Sequence, residues 1–417
     1  MEKTPLPGSE LDFCDEAPVT DLKVEVGHPK DLAETESGTS DTVESEYESY
    51  TLTDTGDKDS VLMLALEEVD QFMEPDPELT AQEKILRVLH LVSCKNLTEY
   101  DPRQYDFVCT RFSRFNIALF DLDEESEAMN GPPLQQLSCS QWHSTEDSSL
   151  NVISVKITES DVGYPIDVFG TVIARDEVDY KCISLYRRER DESQRIHSAE
   201  DMLTLTGPSR GFAASDGMFF EINLMYKGDG ATDDTQLSKG VAEYHNEPFD
   251  LRPVTVVLSS WLSRVELLCL PVPYPTAAVI EVKILNGNRI FIGKIFAWSP
   301  GNDANKMLLY SHDCGADHAL IGDGHRVTLA RNLVAVPIGE DIALHICFMD
   351  HGGGEVNVVK ISYPQEEMFC EHGSYELQLK VEWRSMLSMP MADAILKRWA
   401  SVPVRHLSSQ KLYMSSP

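Results

Sequence analysis

The chain has 417 residues, of which 42% are apolar, so it is long enough for two or three domains with a sizeable hydrophobic core. Its 69 acidic and 35 basic residues give a formal charge of −34 at pH 7. Such a charge repels a phosphate backbone, which argues against direct binding of nucleic acid. The nine cysteines are scattered and include no C-x-x-C pair, which is typical of reduced thiols.

No segment of the sequence resembles a secretion signal or a membrane span. The opening "MEKTPLPGSELDFCDE" lacks a basic patch followed by an apolar run, and no later segment reaches the roughly 18 apolar residues that a span needs. We therefore expect an intracellular protein, cytoplasmic or nuclear, that is not secreted and has no transmembrane segment.

Residues 1–58 are expected to form a disordered acidic tail. Up to Asp59 the chain holds 17 acidic and four basic side chains, with few aromatic residues between them. This composition buries too little apolar area to offset the loss of chain entropy on folding. The tail either binds a partner or only solvates the chain.

A helical and irregular lead-in is predicted over residues 59–147. "DSVLMLALEEVDQFMEP" has the apolar period of a helix and stops at Pro75. "LTAQEKILRVLHLVSCKN" opens with Thr80 and Glu83, three residues apart, which is the spacing of a capping box at a helix start. Further on, "FNIALFDLDEES" favours a strand.

After about residue 148 the apolar period changes from 3.6 to 2. Short runs such as "VFGTVIARD", "MFFEINLMY" and "VTVVLS" are rich in β-branched and aromatic residues and are separated by Gly, Pro, Asp or Asn. Nothing of helical length interrupts them before about residue 391. The predicted fold is therefore mainly β, an antiparallel β-sandwich rather than a set of parallel βαβ units.

Two hexapeptides indicate an internal repeat. "VISVKI" begins at Val152 and "VIEVKI" at Val279, and further pairs of similar segments follow at a nearly constant shift of 123 or 124 residues. The pattern favours two sandwich modules at residues 148–272 and 276–388, followed by a C-terminal tail at 389–417 with the short helix "ADAILKRWA". The alternative is one large sandwich over residues 148–388.

Three stretches resemble the grass-expanded plant family called domain of unknown function 6598. They are "VFGTVIARDEVDYKCISLYRRERDESQRI", "LTLTGPSRGF" and the lead-in "EYDPRQYDFVCTRF…FDLDEES", and the resemblance covers about residues 95–385. It implies a β-rich domain in a cereal plant, with no established activity and no catalytic residues to assign. Some relatives are joined to a ribosome-inactivating N-glycosylase domain. That enzyme's E-A-x-R pattern is not found in this sequence.

Two acidic loops suggest a calcium site. The order of strands loosely resembles the calcium-dependent phospholipid-binding modules first named in protein kinase C, in which aspartates from two loops share calcium. Ca²⁺ accepts six to eight oxygen ligands, and clustered carboxylates need such a cation or water around them. The second module lacks the corresponding aspartates, and solvated turns are the alternative. The candidate ligands are Asp176, Asp179, Asp229, Asp233 and Asp234.

Two further clusters are candidates for ligand binding. "HDCGADH" places His312, Cys314 and His318 within seven residues, and these are residue types that bind zinc, although the spacing matches no established finger. "LYRRERDESQRI" is the densest basic patch, where guanidinium groups suit a phosphate or carboxylate. The patch consists of Arg187, Arg188 and Arg190 and would otherwise be a self-neutralising loop.

The sequence therefore predicts a non-catalytic β-sandwich protein that binds an unknown protein partner, in plant defence or stress, with no catalytic residue and no required cofactor. One alternative is an enzyme or accessory linked to rRNA N-glycosylase activity. Another is a calcium-dependent lipid-binding module, which would make the protein a peripheral membrane protein.

Overall fold

The computed structural model describes residues 80–386 apart from positions 119, 139–140, 142–144, 216, 231–232, 248–250, 288–290, 300–301, 313–320, 323–324, 349–354 and 373–374. The predicted acidic tail, the first predicted helix and the C-terminal tail with its short helix lie outside the described residues.

The lead-in begins with a capped helix, as the sequence predicts. Helix α1 (Ala81–Asn96) follows Thr80, whose hydroxyl accepts a hydrogen bond from the backbone N–H of Glu83 at 3.3 Å. The Glu83 carboxylate accepts the backbone N–H of Thr80 at 2.8 Å, which completes the capping box. A hairpin follows, formed by β1 (Thr98–Asp101) and β2 (Asp106–Cys109).

The prediction of a strand at "FNIALFDLDEES" is wrong. The described residues of this stretch are irregular, and they contribute a single parallel bridge between Glu125 and Cys182. Their backbone groups bond to side chains and loops of the first β half instead: the carbonyl of Leu122 accepts from Arg175 at 2.5 Å and from the Cys182 thiol at 3.1 Å.

The first half of the β region consists of two sheets. One has the strand order β3-β10-β9, and the other has the order β5-β4-β7-β8 with β6 beside β4. Its strands are β3 (Ser148–Ser160), β4 (Ile166–Arg175), β5 (Ile183–Arg188), β6 (Gln194–Ile196), β7 (Gly217–Tyr226), β8 (Thr235–His245), β9 (Val254–Ser260) and β10 (Ser263–Pro273).

The second half is built in the same way. One sheet contains the run β11-β20-β19, with β15 and β16 also beside β11, and the other has the order β13-β12-β17-β18. Its strands are β11 (Pro275–Asn286), β12 (Gly293–Trp298), β13 (Met307–His312), β14 (Ile321–Gly322), β15 (Arg326–Val327), β16 (Leu333–Pro337), β17 (Asp341–Phe348), β18 (Glu355–Ser362), β19 (Glu367–His372) and β20 (Tyr375–Ser385).

Every pair of these strands is antiparallel, so the prediction of a mainly β, antiparallel fold is confirmed. In each half one apolar cluster takes side chains from both sheets, which makes the half a sandwich. Val155 and Val172 belong to the first cluster, and Val282 and Ile295 belong to the second.

The two halves agree in register as well as in strand order. The pairing of β4 with β5 shifts by one residue after Val172, and the pairing of β12 with β13 shifts after Ile295, 123 positions later. Lys156 of "VISVKI" forms a bridge with Met202, and Lys283 of "VIEVKI" pairs with Arg326, 124 positions beyond Met202. The repeated hexapeptides therefore occupy equivalent positions.

Glycine is required at one equivalent position in each half. Gly170 and Gly293 have φ values of +116° and +153°. A Cβ atom at Gly170 would lie 2.2 Å from the carbonyl oxygen of Asn223, and one at Gly293 would lie 2.0 Å from that of Cys347. Both the backbone angle and the close approach of the neighbouring strand exclude a side chain at these two positions.

Buried polar groups link the two halves. The Arg331 guanidinium, 4% exposed, donates to the carbonyl oxygens of Val152 at 2.6 Å, Ile153 at 2.8 Å and Leu308 at 2.9 Å. Burial lowers the pKa of Arg331 to about 10. Asn151 forms two hydrogen bonds with the backbone of β16. The sheet β3-β10-β9 is thus fixed to the second half by hydrogen bonds as well as by packing.

Candidate functional site

The structure separates the predicted calcium ligands into two groups. Asp176 follows the end of β4 at Arg175, whereas Asp234 precedes β8, beyond the end of β7 at Tyr226. In the pairing of these strands Arg175 lies opposite Phe219, and Tyr226 lies opposite Val168. The two loops are therefore at opposite ends of the sheet, about 20 Å apart at the rise of a β-strand.

The first group serves an internal ion pair. Asp176 is fully buried, and its carboxylate accepts hydrogen bonds from the Arg210 guanidinium at 2.5 and 2.8 Å and from the backbone N–H of Ala213 at 2.9 Å. Burial by itself lowers the pKa of Arg210, but the hydrogen bond and charge of Asp176 outweigh it and raise the pKa. Asp179 accepts from Ser126 at 2.8 Å and lies 3.8 Å from Arg210. These carboxylates are neutralised by a guanidinium.

The second group forms a turn. Asp234 accepts from the Arg190 guanidinium at 2.7 Å and from the backbone N–H of Gly228 at 3.0 Å, and the Arg190 hydrogen bond holds the pKa of Asp234 below its usual range. Asp233 accepts the N–H of Gly230 at 3.1 Å, and Asp229 is exposed. Among the described residues, no three His, Cys, Asp or Glu side chains converge on a position for a metal ion.

The predicted basic patch is bonded to the chain itself. Arg187 forms an exposed ion pair with Glu125 at 2.7 Å, and Arg188 donates to the carbonyl of Glu192 at 3.1 Å. Arg190 donates to Asp234, as described above. Each of the three guanidinium groups therefore has a partner within the molecule. Of the predicted zinc ligands, His312 ends β13, while Cys314 and His318 lie outside the described residues.

The first half contains a buried ion pair that was not predicted from the sequence. We call the outward side of the sheet β5-β4-β7-β8 around Ile173, Arg175 and Glu221 the covered face; these side chains are 6%, 0% and 6% exposed. Arg175 donates to the two carboxylate oxygens of Glu221 at 2.8 and 3.1 Å. Opposite charges within the apolar runs "GTVIAR" and "FFEINL" were the available signal for this pair.

The lead-in provides the cover. Arg111 donates to Glu221 at 3.1 Å, and the backbone N–H of Phe112 donates to the other carboxylate oxygen at 2.7 Å. The Phe112 ring stacks on the Tyr180 ring, with 5.4 Å between the ring centres, and meets the Phe219 ring edge to face, with 4.7 Å between the ring centres. We call the described residues of 111–126 the cover segment. It satisfies the buried charges of the covered face with its own backbone and side chains.

The equivalent side of the second half is more exposed. We call the outward side of the sheet β13-β12-β17-β18 the open face. Four of its side chains are paired from strand to strand and form a row across the sheet. Phe296 and His345 replace Ile173 and Glu221, and Val358 at the edge is 53% exposed. The row consists of Leu308, Phe296, His345 and Val358.

Basic groups accompany the open face. The Lys306 ammonium lies 3.3 Å from Nδ1 of His345 and 4.4 Å from the ring centre of Trp298, which replaces Arg175. Partial burial, followed by the charge of Lys306, lowers the pKa of His345. Lys360 is exposed and follows Val358 by two residues on the same side of β18. The indole N–H of Trp298 donates to the Asp303 carboxylate at 2.7 Å, so the open face is apolar in the middle and has two lysines and one aspartate beside it.

A second exposed group of apolar side chains lies on the hairpin. Tyr100, Tyr105 and Phe107 are 49%, 82% and 38% exposed, and the rings of Tyr100 and Phe107 meet edge to face at 5.4 Å. We call these three side chains the aromatic tip.

The hairpin is fixed to the first half by buried and paired charges. Asp101 has no exposed surface and accepts the backbone N–H groups of Arg103 at 2.8 Å and Trp261 at 2.9 Å. Arg103 forms ion pairs with Glu159 and with Asp161, the latter at 3.0 Å. The aromatic tip is therefore presented on a rigid support.

Comparison with known proteins gives one family. The family model described as a domain of unknown function (DUF6598) matches residues 149–386, more than half of the chain. The match begins one residue after the start of β3, so the lead-in lies outside it. No curated protein matches the chain at a significant level.

Several solved structures align with low similarity. Human GIVD cytosolic phospholipase A2 is 9% identical with a TM-score of 0.17 over 57% of this chain and 33% of its own. The pair of C2 domains of Extended-Synaptotagmin 2 aligns in a calcium-bound form, at 7% identity and a TM-score of 0.20 over 58% of this chain and 97% of that one. A second structure of the same two domains aligns at 6% identity and a TM-score of 0.21, over 64% of this chain and 96% of that one. Similarity at this level carries no argument about function.

Proposed function

We propose that this chain, which belongs to the family known as domain of unknown function 6598, is a non-catalytic interaction protein that binds a basic protein partner through the aromatic tip. The observation that carries the proposal is the exposure of Tyr100, Tyr105 and Phe107 on one rigid hairpin. Tyrosine and phenylalanine are enriched in protein interfaces, where they bury a large area at little cost in side-chain entropy. A rigid support reduces the entropy lost on binding further.

The charge around the aromatic tip supports a basic partner. Glu159 and Asp161 beside the hairpin share one guanidinium, that of Arg103, and are 52% and 54% exposed, and Asp106 at the start of β2 is also exposed, so the local charge is negative. The whole chain carries a formal charge of −34. Complementary charges at the rim of an interface steer association and discriminate between partners. The same charges disfavour an anionic membrane as the target.

The buried ion pairs argue for a structural use of the charged residues. Glu221 is held by Arg175 and Arg111, and Asp176 is held by Arg210. A general acid or base must reach a substrate, and these carboxylates have their hydrogen-bonding capacity occupied inside the fold. We further propose that the protein is intracellular and acts in plant defence or stress.

Photo-crosslinking on the full chain tests the proposal. Benzoylphenylalanine would replace Tyr105 in one protein and Tyr274, which is 66% exposed elsewhere, in the control. We expect position 105 to crosslink a basic protein that position 274 does not, and the double substitution Tyr100→Ser with Phe107→Ser to abolish that product. The same products from both positions would contradict the proposal.

Two further measurements separate the other functional classes. Binding to phosphatidylserine vesicles that requires Ca²⁺ would replace the proposal with a calcium-dependent lipid-binding function. Release of adenine from purified ribosomes would replace it with an N-glycosylase function. We expect neither the vesicle binding nor the release of adenine.

A further inference from the structure

We propose that the open face binds an extended acidic segment of a protein partner. This surface is separate from the aromatic tip, so the inference does not rest on the proposed function. It follows from the comparison between the open face and the covered face, which occupy equivalent positions in the two halves.

The first half shows what such a sheet side accepts. Its cover segment is irregular, and it contributes one aromatic ring, backbone N–H groups and backbone carbonyls to the sheet. The central charge of the covered face is the carboxylate of Glu221, and the groups that meet it are donors from Arg111 and Phe112. The chemistry of the cover segment thus complements the charge beneath it.

In the second half, an imidazole with a neighbouring ammonium group replaces that carboxylate. His345 takes the place of Glu221, because Phe296 pairs with His345 as Ile173 pairs with Glu221. The ammonium group of Lys306 donates to Nδ1 of His345, and the exposed Lys360 lies on the same side. A segment that complements these donors must bring acceptors, and carboxylates are the strongest acceptors for ammonium groups.

The apolar row determines the rest of the partner. Leu308, Phe296 and Val358 lie on three of the four strands, in a row that His345 on β17 completes, and Val358 is 53% exposed at the edge. Apolar or aromatic side chains of the bound segment would cover this row, while its carboxylates would reach Lys306 and Lys360. The proposed ligand is therefore a peptide with alternating acidic and apolar or aromatic residues.

Single-stranded nucleic acid is the other ligand that a basic sheet with aromatic residues can attract. Such binding needs aromatic rings free to stack on bases. Trp298 is only 5% exposed, and its ring is occupied by Lys306 on one side and by an edge-to-face contact with His345. The Phe296 ring is partly buried and lies against the imidazole of His345, with 5.7 Å between the ring centres. The acidic peptide is therefore favoured, and an oligonucleotide becomes a competitor in the test.

Fluorescence anisotropy with the full chain provides the test. The probe is a labelled ten-residue peptide of alternating Glu and Tyr, and the control peptides replace Glu with Gln or with Lys. We expect saturable binding of the acidic peptide, weakened as salt is raised because the contact is between exposed charges. The double substitution Lys306→Met with Lys360→Met should weaken it at least about tenfold, since two charge-assisted contacts are lost.

Two further variants serve as controls for the site of binding. Lys380→Met removes an exposed lysine from β20 in the other sheet of the same half and should leave the affinity unchanged. Val358→Glu should abolish binding, and the unfolding midpoints of all variants are compared with that of the natural chain. Equal affinity for the Gln peptide, an unchanged affinity in the double variant, no saturation by the acidic peptide, or tighter binding of a ten-nucleotide uridine RNA would each overturn the inference.

Discussion

The two β halves share one arrangement of strands but finish the same sheet in different ways. In the first half, the buried ion pair of Arg175 and Glu221 is satisfied by the cover segment. In the second half, Trp298 and His345 occupy the equivalent positions, and Val358 at the end of their sheet remains 53% exposed. The difference shows that two sheets with the same strand arrangement can have one outward side covered by another segment and the equivalent side partly exposed.

The agreement in register points to a duplication, which we propose as the origin of the two halves. The same one-residue shift occurs after Val172 and after Ile295, and the same requirement for glycine occurs at Gly170 and Gly293. Burial alone requires apolar residues at alternate positions. It does not require a shift in strand register and a glycine at equivalent positions of the two halves.

The largest expected effect comes from breaking the ion pair on the covered face. Glu221→Ala leaves the fully buried Arg175 without its carboxylate, so we expect the free energy of unfolding to fall by about 3–5 kcal/mol. The equivalent substitution His345→Ala should lower it by about 1 kcal/mol or less. Urea denaturation measures both, and equal losses would contradict the difference between the two faces.

Removing the link between the halves should have the next largest effect. Arg331→Met leaves the buried carbonyls of Val152, Ile153 and Leu308 without their donor, so we expect a loss of about 2–3 kcal/mol. The unfolding transition should also broaden as the halves unfold less cooperatively. Arg326→Met, at an exposed arginine, is the control. An unchanged transition for Arg331→Met would show that the Arg331 hydrogen bonds do not contribute to joining the halves.

Equal effects are expected at the two equivalent glycines. Gly170→Ala and Gly293→Ala each place a Cβ atom about 2 Å from a carbonyl oxygen in the neighbouring strand. We expect each to lower the free energy of unfolding by about 1–3 kcal/mol through overpacking. Thermal unfolding of both variants measures it, and a loss confined to one half would weaken the case for equivalent registers.

The smallest effect concerns the protonation of His345. Its pKa in the folded state is lowered, first by burial and then by Lys306, so the folded protein binds fewer protons than the unfolded chain as the pH falls below about 6.5. The stability from this group is therefore complete above that pH and decreases on acidification. Lys306→Met should raise the pKa of His345 only part of the way to its ordinary value, because burial remains. NMR titration of the imidazole measures this pKa in the variant. An unchanged pKa would show that the charge of Lys306 does not contribute to the shift.

The sequence predicted the elements whose signals are local. The spacing of Thr80 and Glu83 indicated the start of α1, and alternation of apolar residues indicated an antiparallel β fold. The irregular course of "FNIALFDLDEES" was missed, because its apolar residues satisfy the same pattern as a strand while they pack on another sheet.

The candidate sites were harder to predict because they depend on contacts between distant residues. Asp176 and Asp234 look alike in the sequence, yet one meets Arg210 in the interior and the other meets Arg190 at the opposite end of the sheet. Arg175 and Glu221 stand out as charges within apolar runs, but the local pattern does not show that they pair with each other, 46 positions apart. The same holds for the open face, which only the comparison of registers identifies.

The most direct test of the account compares two thiols in the native full chain. Cys182 of the first half is 7% exposed, its thiol donates to the carbonyl of Leu122 in the cover segment, and burial raises its pKa. Cys347 lies in β17 on the same side of the sheet as His345 and is partly exposed. Alkylation by iodoacetamide, followed by peptide mass spectrometry, gives the rate at each site. We expect Cys347 to react at least about tenfold faster than Cys182, because accessible thiols react before buried ones. Equal rates, or faster reaction at Cys182, would contradict the distinction between an open and a covered face.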